Sequence, residues 1–317
     1  MERDYLKSKV GELAEICKRV IEGGFSVVVT GHDMPDCDSI ISAVMLRELF
    51  SRLGVKTAVK FATRPDGVTE RICLELGVLE NVDFDGFCEG DMLVLVDHHV
   101  TFYENKVIGC VDHHTTPPEA DFDFNLVVKA SSCGRVIYDM ALACGLADDL
   151  MEKLAIYSVY LDTQSCRSPK FDKGDLPWIA DGIARLGLDE DELVEMGFCL
   201  NSLDEAPDVL AMYAYKRYEF DGKVGASTCI QIDGKQAGWQ GKIDEIVGCL
   251  KQKMIDDGAK LWVLVVNKPE IVRSDLYFIR EDGVERVCLD RLASRSRDVV
   301  PHMRRGCEDA GMRFPLS

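Results

Sequence analysis

Long apolar runs are missing from this chain of 317 residues: no window reaches the roughly 18 consecutive apolar residues of a membrane span. The N-terminal stretch MERDYLKSKVGELAEICKRVIEGG is charged throughout, which argues against a secretory leader. Net positive charge is missing as well. With 55 acidic against 37 basic side chains the formal charge is −18, which argues against a clamp for long nucleic acid, since such a clamp needs a broad basic surface. A small anionic substrate stays compatible, provided bound cations reverse the sign inside a cleft. The 13 cysteines include no CxxC pair. That spacing fits reduced thiols in a cytoplasmic protein rather than a zinc knuckle or a disulfide framework. What is present is a 47% hydrophobic chain long enough for two globular domains, each with its own core.

Residues 3–22 place Leu6, Val10, Leu13, Ile16, Cys17 and Val20 at helical spacing, and Gly23-Gly24 stop that helix. FSVVVTG follows as an apolar strand. SIISAVMLRELFSRL, residues 39–53, returns to helical period. VKTAVKF reads as a second strand, with a helix after it at 67–76. DMLVLV (91–96) and NKVIGCV (105–111) are further strands, and 132–147, 149–161 and 175–186 read as helices. This alternation predicts an α/β fold over residues 1–200, a parallel sheet with helices on both faces. The polar stretch LNSLDEAPDV reads as a linker. KVGASTCIQI, KLWVLVV and a last strand DLYFIR, with a helix at about 241–257, predict a smaller α/β domain over 206–317.

Ligands of an open parallel sheet bind beyond the carboxyl ends of its strands. Three apolar runs end there in histidine and aspartate: VVVTGHDMPDCD in His32, Asp36 and Asp38, LVLVDHH in Asp97-His98-His99, and IGCVDHH in Asp112-His113-His114. LDTQS adds Asp162 after the apolar run AIYSVYL. Five of the six histidines lie in these motifs. One aspartate or histidine at a strand end is usually a cap or a satisfied polar group. This recurrence is different, because neighbouring carboxylates repel, raising their pKa or destabilising the fold unless a cation intervenes. Mixed imidazole and carboxylate donors suit Mn²⁺, Co²⁺ or Zn²⁺ better than an all-oxygen magnesium or calcium cage. Six or more donors exceed the need of one ion and point to a pair about 3.5–4 Å apart, an arrangement suited to attack on phosphorus.

HDMPDCD, the two DHH runs and LDTQS resemble the successive motifs of the DHH phosphoesterase superfamily. The remainder of the chain is similar to the C-terminal domain of family II manganese-dependent inorganic pyrophosphatases and cytosolic exopolyphosphatases. SRSRDVVP, residues 294–301, stands where those enzymes carry a basic SRKKQVVP-like segment. The GGGH segment of oligoribonuclease-type members is absent.

The resemblance implies an active site in the cleft between the two domains. It implies two divalent ions, Mn²⁺ first, with Co²⁺ or Mg²⁺ as alternatives. His32, Asp36 and Asp97 would hold one ion; Asp38, Asp97, His113 and Asp162 would hold the other, with Asp97 bridging. A hydroxide between the ions would attack phosphorus in line. His114 and His98 would meet substrate oxygens and help to protonate the leaving group, which makes Asp97, His98 and His114 the candidate catalytic residues. Arg295 and Arg297, with His114, would bind substrate, their forked guanidinium groups matching a distal phosphate. The reaction implied is hydrolysis of a phosphoanhydride, either pyrophosphate or the end of a polyphosphate chain. A homodimer through an edge strand of the first domain is compatible with the resemblance.

The sequence departs from the pyrophosphatase pattern at four places. Met34 replaces an asparagine, His99 stands where DHN is usual, Ser296 replaces a basic residue, and no lysine lies near 198–202. The last two remove cations from around a tetra-anionic substrate and leave the metal chemistry intact. A phosphodiesterase acting on short oligonucleotides or small nucleotides is the alternative enzyme, favoured by the N-terminal helix and the LDTQS form of the fourth motif. A non-catalytic metal-binding regulator is disfavoured because every ligand is present. His302 reads as an ordinary histidine. Ser131-Ser132 can either cap a helix or present amides to phosphate.

Overall fold

Helical spacing at the start of the chain becomes α1 (Arg3–Glu22), which buries Leu6, Val10, Leu13, Ile16 and Cys17 along one face. This is a computed structural model, and it describes residues 2–80, 82–99, 103–114 and 122–308, with the main chain alone at 296, 307 and 308. The apolar runs that follow α1 supply β1 (Ser26–Thr30), β2 (Ala58–Lys60), β3 (Val82–Asp83), β4 (Asp91–Val96), β5 (Val107–Asp112) and β6 (Asn125–Val127). They form one parallel sheet in the order β3-β2-β1-β4-β5-β6. β5 is buried along its whole length and β4 everywhere but Met92, as strands covered on both faces must be. On one side Val28, Leu93, Leu95, Val107 and Cys110 form a cluster under Phe87, Tyr103, Phe122 and Val127.

Four helices complete this core: α2 (Cys37–Arg52), α3 (Gly67–Glu75), α4 (Cys133–Cys144) and α5 (Asp149–Asp162). α2, α4 and α5 pack on one another, and α2 also packs on β1 and β4. The strand order matters for function. β1 has β2 on one side and β4 on the other, so the winding of the chain reverses between β1 and β4. That is the switch point where such sheets take their ligands.

The described residues through Cys166 together with Lys170–Gly197 pack as one unit, which also holds α6 (Leu176–Leu186) and α7 (Glu190–Gly197). Arg167–Pro169 and the residues from Phe198 onward pack as a second. In that second unit the Arg167 guanidinium lies over the Phe198 ring and donates to the carbonyl of Pro269. After the short α8 (Pro207–Leu210) come β7 (Lys216–Phe220), β8 (Lys223–Gln231), α9 (Trp239–Asp256), β9 (Ala259–Lys268), β10 (Arg273–Arg280), β11 (Gly283–Leu289) and α10 (Val300–Glu308).

The second sheet runs β11-β10-β9-β8-β7, parallel only between β8 and β9. Asp221 and Gly222 both take positive φ at the tight turn of the β7–β8 hairpin, the conformation such turns favour. Leu261, Val263, Val265, Leu276 and Phe278 make its core with Val299 and Met303. DLYFIR, expected as the last strand, falls inside β10 and is followed by β11. That edge strand, GVERVCL, buries none of its residues fully, so it lacks the apolar run that marks a central strand. Among the described residues no helix is long and apolar enough to cross a membrane.

Candidate metal centre

The histidines and aspartates after β1, β4 and β5 meet the C-terminal end of α5. After β1 the chain runs through Gly31 and His32 into Asp36, the N-cap of α2. Asp36 Oδ1 accepts a hydrogen bond from the Ser39 amide at 3.0 Å, while its Oδ2 lies 3.4 Å from His32 Nε2. Gly31 has to be glycine, because a Cβ there would come within 2.6 Å of Ser39 Cβ. This close approach lets Ser39 Oγ donate to Asp97 Oδ2 at 2.7 Å. Asp97 itself follows β4 with φ of 61°, a left-handed conformation that aspartate tolerates better than most residues.

Asp97 faces two ways. Its Oδ2 is 3.6 Å from His32 Nε2, and its Oδ1 is 3.1 Å from His113 Nε2. His113 Nε2 is in turn 3.7 Å from Asp38 Oδ2 and 3.6 Å from Asp162 Oδ2. His32, Asp36 and Asp97 therefore form one donor group. Asp38, His113 and Asp162 form a second, and Asp97, Asp112, His113 and His114 are likewise close enough to share an ion. A cluster of this composition is suited to metal binding.

Asp38 is held from three helices. The amides of Cys133 and Gly134 at the start of α4 donate to it at 2.7 and 3.0 Å, Ser158 Oγ of α5 at 2.5 Å and Ser42 Oγ of α2 at 3.2 Å. Gly134 permits this, since a Cβ would lie 2.8 Å from Ser158 Cβ. Ser132 caps α4, accepting from the Arg135 amide. Of the two uses open to Ser131-Ser132, capping is the one this geometry exhibits, with the free amides turned onto Asp38.

The imidazoles fit a cation. Nδ1 of His32, His98 and His113 each meets a backbone carbonyl, of Asp33, Val96 and Ala130, at 2.8, 3.0 and 3.1 Å. A carbonyl only accepts, so Nδ1 carries the proton and Nε2 is left as the inward-facing atom. For His98 and His113 that Nε2 is buried and makes no hydrogen bond. A buried, unsatisfied nitrogen among carboxylates is the expected form of a ligand.

The electrostatics agree. Burial, then the charge of Asp97, pushes the Asp38 carboxyl up to about 8. Burial opposes a charge on His113, but Asp97, Asp162 and Asp38 outweigh it and lift the imidazole to about 10. Burial and Asp36 press Asp97 upward, yet His113 and His114 prevail and its pKa is lowered. Burial and the charge of His32 hold His98 at about 4, so its ring is neutral.

The two DHH triplets are joined through Asp112. Its Oδ2 meets His99 Nδ1, and its Oδ1 takes His114 Nδ1 at 2.8 Å together with the amides of His113 and His114. Although burial disfavours its charge, the bonds from His114 and His99 keep Asp112 well below the usual carboxylate range. His114 is the most exposed of these rings, with 36% of its side-chain surface open. Four contributors escaped sequence reasoning: Ser39, Ser158, Asp112 as the anchor of His114, and Lys170. Lys170 sets its ammonium 2.8 and 3.2 Å from the two oxygens of Asp162. The only sequence signal for it was its place eight residues after Asp162 in LDTQSCRSPK.

In the second unit Arg295 and Arg297 lie in a π-helical turn, Arg295–Val299, that leads into α10. Arg295 donates to the carbonyl of Ala214, and Arg297 pairs with Asp298 at 3.2 Å. His302 is buried near the Phe278 ring.

Residues 26–163 match the model of the family described as "DHH family, N-terminal domain". That match lies within the first unit. The whole chain is similar to the manganese-dependent inorganic pyrophosphatase of Methanocaldococcus jannaschii, at 26% identity over 87% of this chain and 98% of that protein. Among solved structures, the putative family II inorganic pyrophosphatase of Methanococcus jannaschii superposes with a TM-score of 0.73 at 21% identity, covering 89% of this chain and all of that one. An exopolyphosphatase-related protein from Bacteroides fragilis gives a TM-score of 0.49 at 14% identity, over 86% of this chain and 83% of that one. The match at 0.73 establishes a shared fold. Within the matched residues, all four expected motifs contribute atoms to the cluster around Asp97.

Proposed function

We propose that this chain is a metal-dependent phosphohydrolase that cleaves a phosphoanhydride, pyrophosphate or the end of a polyphosphate chain, at the centre around Asp97. The observation that carries the reading is the division of Asp97, one oxygen toward His32 and Asp36, the other toward His113. A single carboxylate serving two donor groups is what a pair of ions requires. The likeness to a protein named for manganese and pyrophosphate supports the choice of metal and substrate class.

The proposed ligands are His32, Asp36 and Asp97 on one side and Asp38, Asp97, His113 and Asp162 on the other, with Mn²⁺ the ion of choice. Ions bound there would supply Lewis acidity and make a water acidic enough to react near neutral pH. The remaining steps fall to the chain. Ser39 fixes Asp97, and the α4 amides with Ser158 fix Asp38, so the donors are held before any ligand arrives. Asp112 holds His114 with its Nδ1 proton inward, leaving Nε2 to deliver a proton to the leaving group. His98, whose Nε2 faces the centre, is proposed to meet a substrate oxygen beside His114. For Arg295 and Arg297 the proposed role is binding of a substrate phosphate, carried by the SRSRDVVP segment alone. A cytoplasmic setting and a homodimer belong to the same reading; free thiols support the first.

The test is a substrate panel with Mn²⁺: pyrophosphate, polyphosphate, a dinucleotide and 3′-phosphoadenosine 5′-phosphate. Turnover of the first two alone is the expected result. Turnover of the nucleotides alone would replace the anhydride by a phosphodiester or monoester and leave the metal centre standing, and inertness toward all four would defeat the enzyme reading. Arg295→Ala is expected to raise KM about tenfold or more with metal content unchanged, as loss of a charged phosphate contact should.

A further inference from the structure

His99 has no part in the reading above, yet it lies as deep in the fold as the ligands do. The Asp97 amide donates to the Val111 carbonyl at 3.1 Å, which keeps the chain after β4 alongside β5. His99 thereby arrives beside Asp112, the last residue of β5, and its Nδ1 meets Asp112 Oδ2. The other oxygen of Asp112 serves its own triplet. Oδ1 takes His114 Nδ1 at 2.8 Å and the amides of His113 and His114 at 2.7 and 3.1 Å. An ionised carboxylate only accepts, so both imidazoles direct a protonated Nδ1 at Asp112.

His114 has a second carboxylate close by. Its Nδ1 is 3.8 Å from Asp97 Oδ1, the oxygen that also faces His113. A His114 proton handed to Asp97 would occupy an oxygen that the ions need. What keeps it on Asp112 is the setting of the Asp112 carboxylate. The last torsion of an aspartate is broad and roughly two-fold, so a carboxylate gripped at one oxygen can still turn. A donor on each oxygen removes that freedom, and Asp112 has them: His99 on Oδ2, His114 and two amides on Oδ1.

We propose that His99 is a positioning residue for the proton-delivering His114: its bond to Oδ2 sets the plane of the Asp112 carboxylate, so that Oδ1 holds the His114 proton on Nδ1, away from Asp97, and Nε2 stays available to the leaving group. This deepens the phosphoanhydride reading above and rests on it. It also gives a reason for the residue type. Nδ1 of histidine and Nδ2 of asparagine are both bonded to Cγ, so either side chain offers an N–H at the same reach from the main chain. The histidine that stands where DHN is usual thus keeps the donor, and position 99 departs from the pyrophosphatase pattern in letter more than in chemistry.

The test compares His99→Asn with His99→Leu in the full chain, two side chains of the same branching that differ in the N–H. With Mn²⁺ and whichever anhydride the wild type hydrolyses, His99→Leu should lower kcat about 10- to 100-fold, the usual loss when the outer partner of a site residue is removed. KM and Mn²⁺ stoichiometry should stay as they are, and His99→Asn should restore most of the kcat. A second readout needs neither turnover nor ions: nitrogen NMR of the imidazoles in the ion-free protein. His99 and His114 should both carry the proton on Nδ1 in the wild type. His114 should keep it there in His99→Asn and divide it between its two nitrogens in His99→Leu. Three results would each overturn the proposal while the wild type still hydrolyses the anhydride. They are a wild-type His99 with bare Nδ1, a His99→Asn kcat down by about tenfold or more, and a His99→Leu protein with wild-type kcat and His114 tautomer. The first two need no folded His99→Leu protein. A wild type inert toward pyrophosphate and polyphosphate would overturn the reading beneath the proposal, and the proposal with it.

Discussion

Both units of this chain bury aspartates, but not all with the same partners. In the second unit Asp275 and Asp298 have cations beside them. Asp275 meets Lys268 at 2.7 Å and Arg286 at 2.9 Å, and Asp298 is held through both oxygens by Arg291 at 2.8 Å, with Arg297 at 3.2 Å. Burial works against both charges, but these partners prevail and both pKa values are lowered. In the first unit Asp91 is matched in the same way by Lys60 at 2.8 Å, whereas the ion pairs of the equally buried Asp38 and Asp97 among the described residues are with imidazoles, and Asp38 is raised. A matched buried charge is part of the fold. An unmatched one is a cost that selection tolerates where a ligand supplies the match.

The contrast can be broken by experiment. The largest effect is expected at Asp97: Asp97→Asn should cut hydrolysis by about a thousandfold or more and lower the Mn²⁺ stoichiometry. Because His113 and His114 hold the Asp97 pKa down, its charge stabilises the ion-free fold, and the same change should lower the melting temperature there. Asp275→Asn should act on the fold without touching the metal. It leaves Lys268 buried without its partner and should cost about 3–5 kcal/mol in denaturant unfolding, with Mn²⁺ content unchanged. Loss of metal from that variant, or stabilisation by it, would erase the distinction between the units.

Ser39→Ala removes the hydroxyl that fixes Asp97 and should weaken Mn²⁺ binding about 10- to 100-fold in a titration. The smallest effect concerns acid. Asp275 and Asp298 have folded pKa values below those of the unfolded chain. Their contribution is therefore complete above the ordinary aspartate value of about 4 and is lost as pH falls through the folded values. Melting temperature should decline below about pH 4, and Asp275→Asn should flatten that decline.

How much of this was legible in the sequence depends on where each residue gets its information. β1, β4, β5 and β9 are apolar runs bounded by polar residues, and the periodicities of α1, α2 and α5 are equally plain. β3 and β6, two and three residues long, are too short to show a period. The edge strands β7 and β11 alternate charge with half-buried side chains and read as loop. In the centre, the histidines and aspartates stood out because such residues rarely recur at successive strand ends. Ser39, Ser158 and Lys170 did not, since a serine inside a helix or a lysine in a polar turn has the same appearance wherever it lies. Their places depend on contacts 58, 120 and eight residues away in the chain, which no local pattern encodes.

Asp36 starts a helix with one oxygen and looks into the centre with the other. It cannot swing round to grip a cation at two points without breaking the bond to the Ser39 amide that begins α2. An ion held at that corner would meet a single oxygen of Asp36. Places on it left free would fall to solvent and reactant, so the bond that launches the helix would also keep room for whatever is to be split.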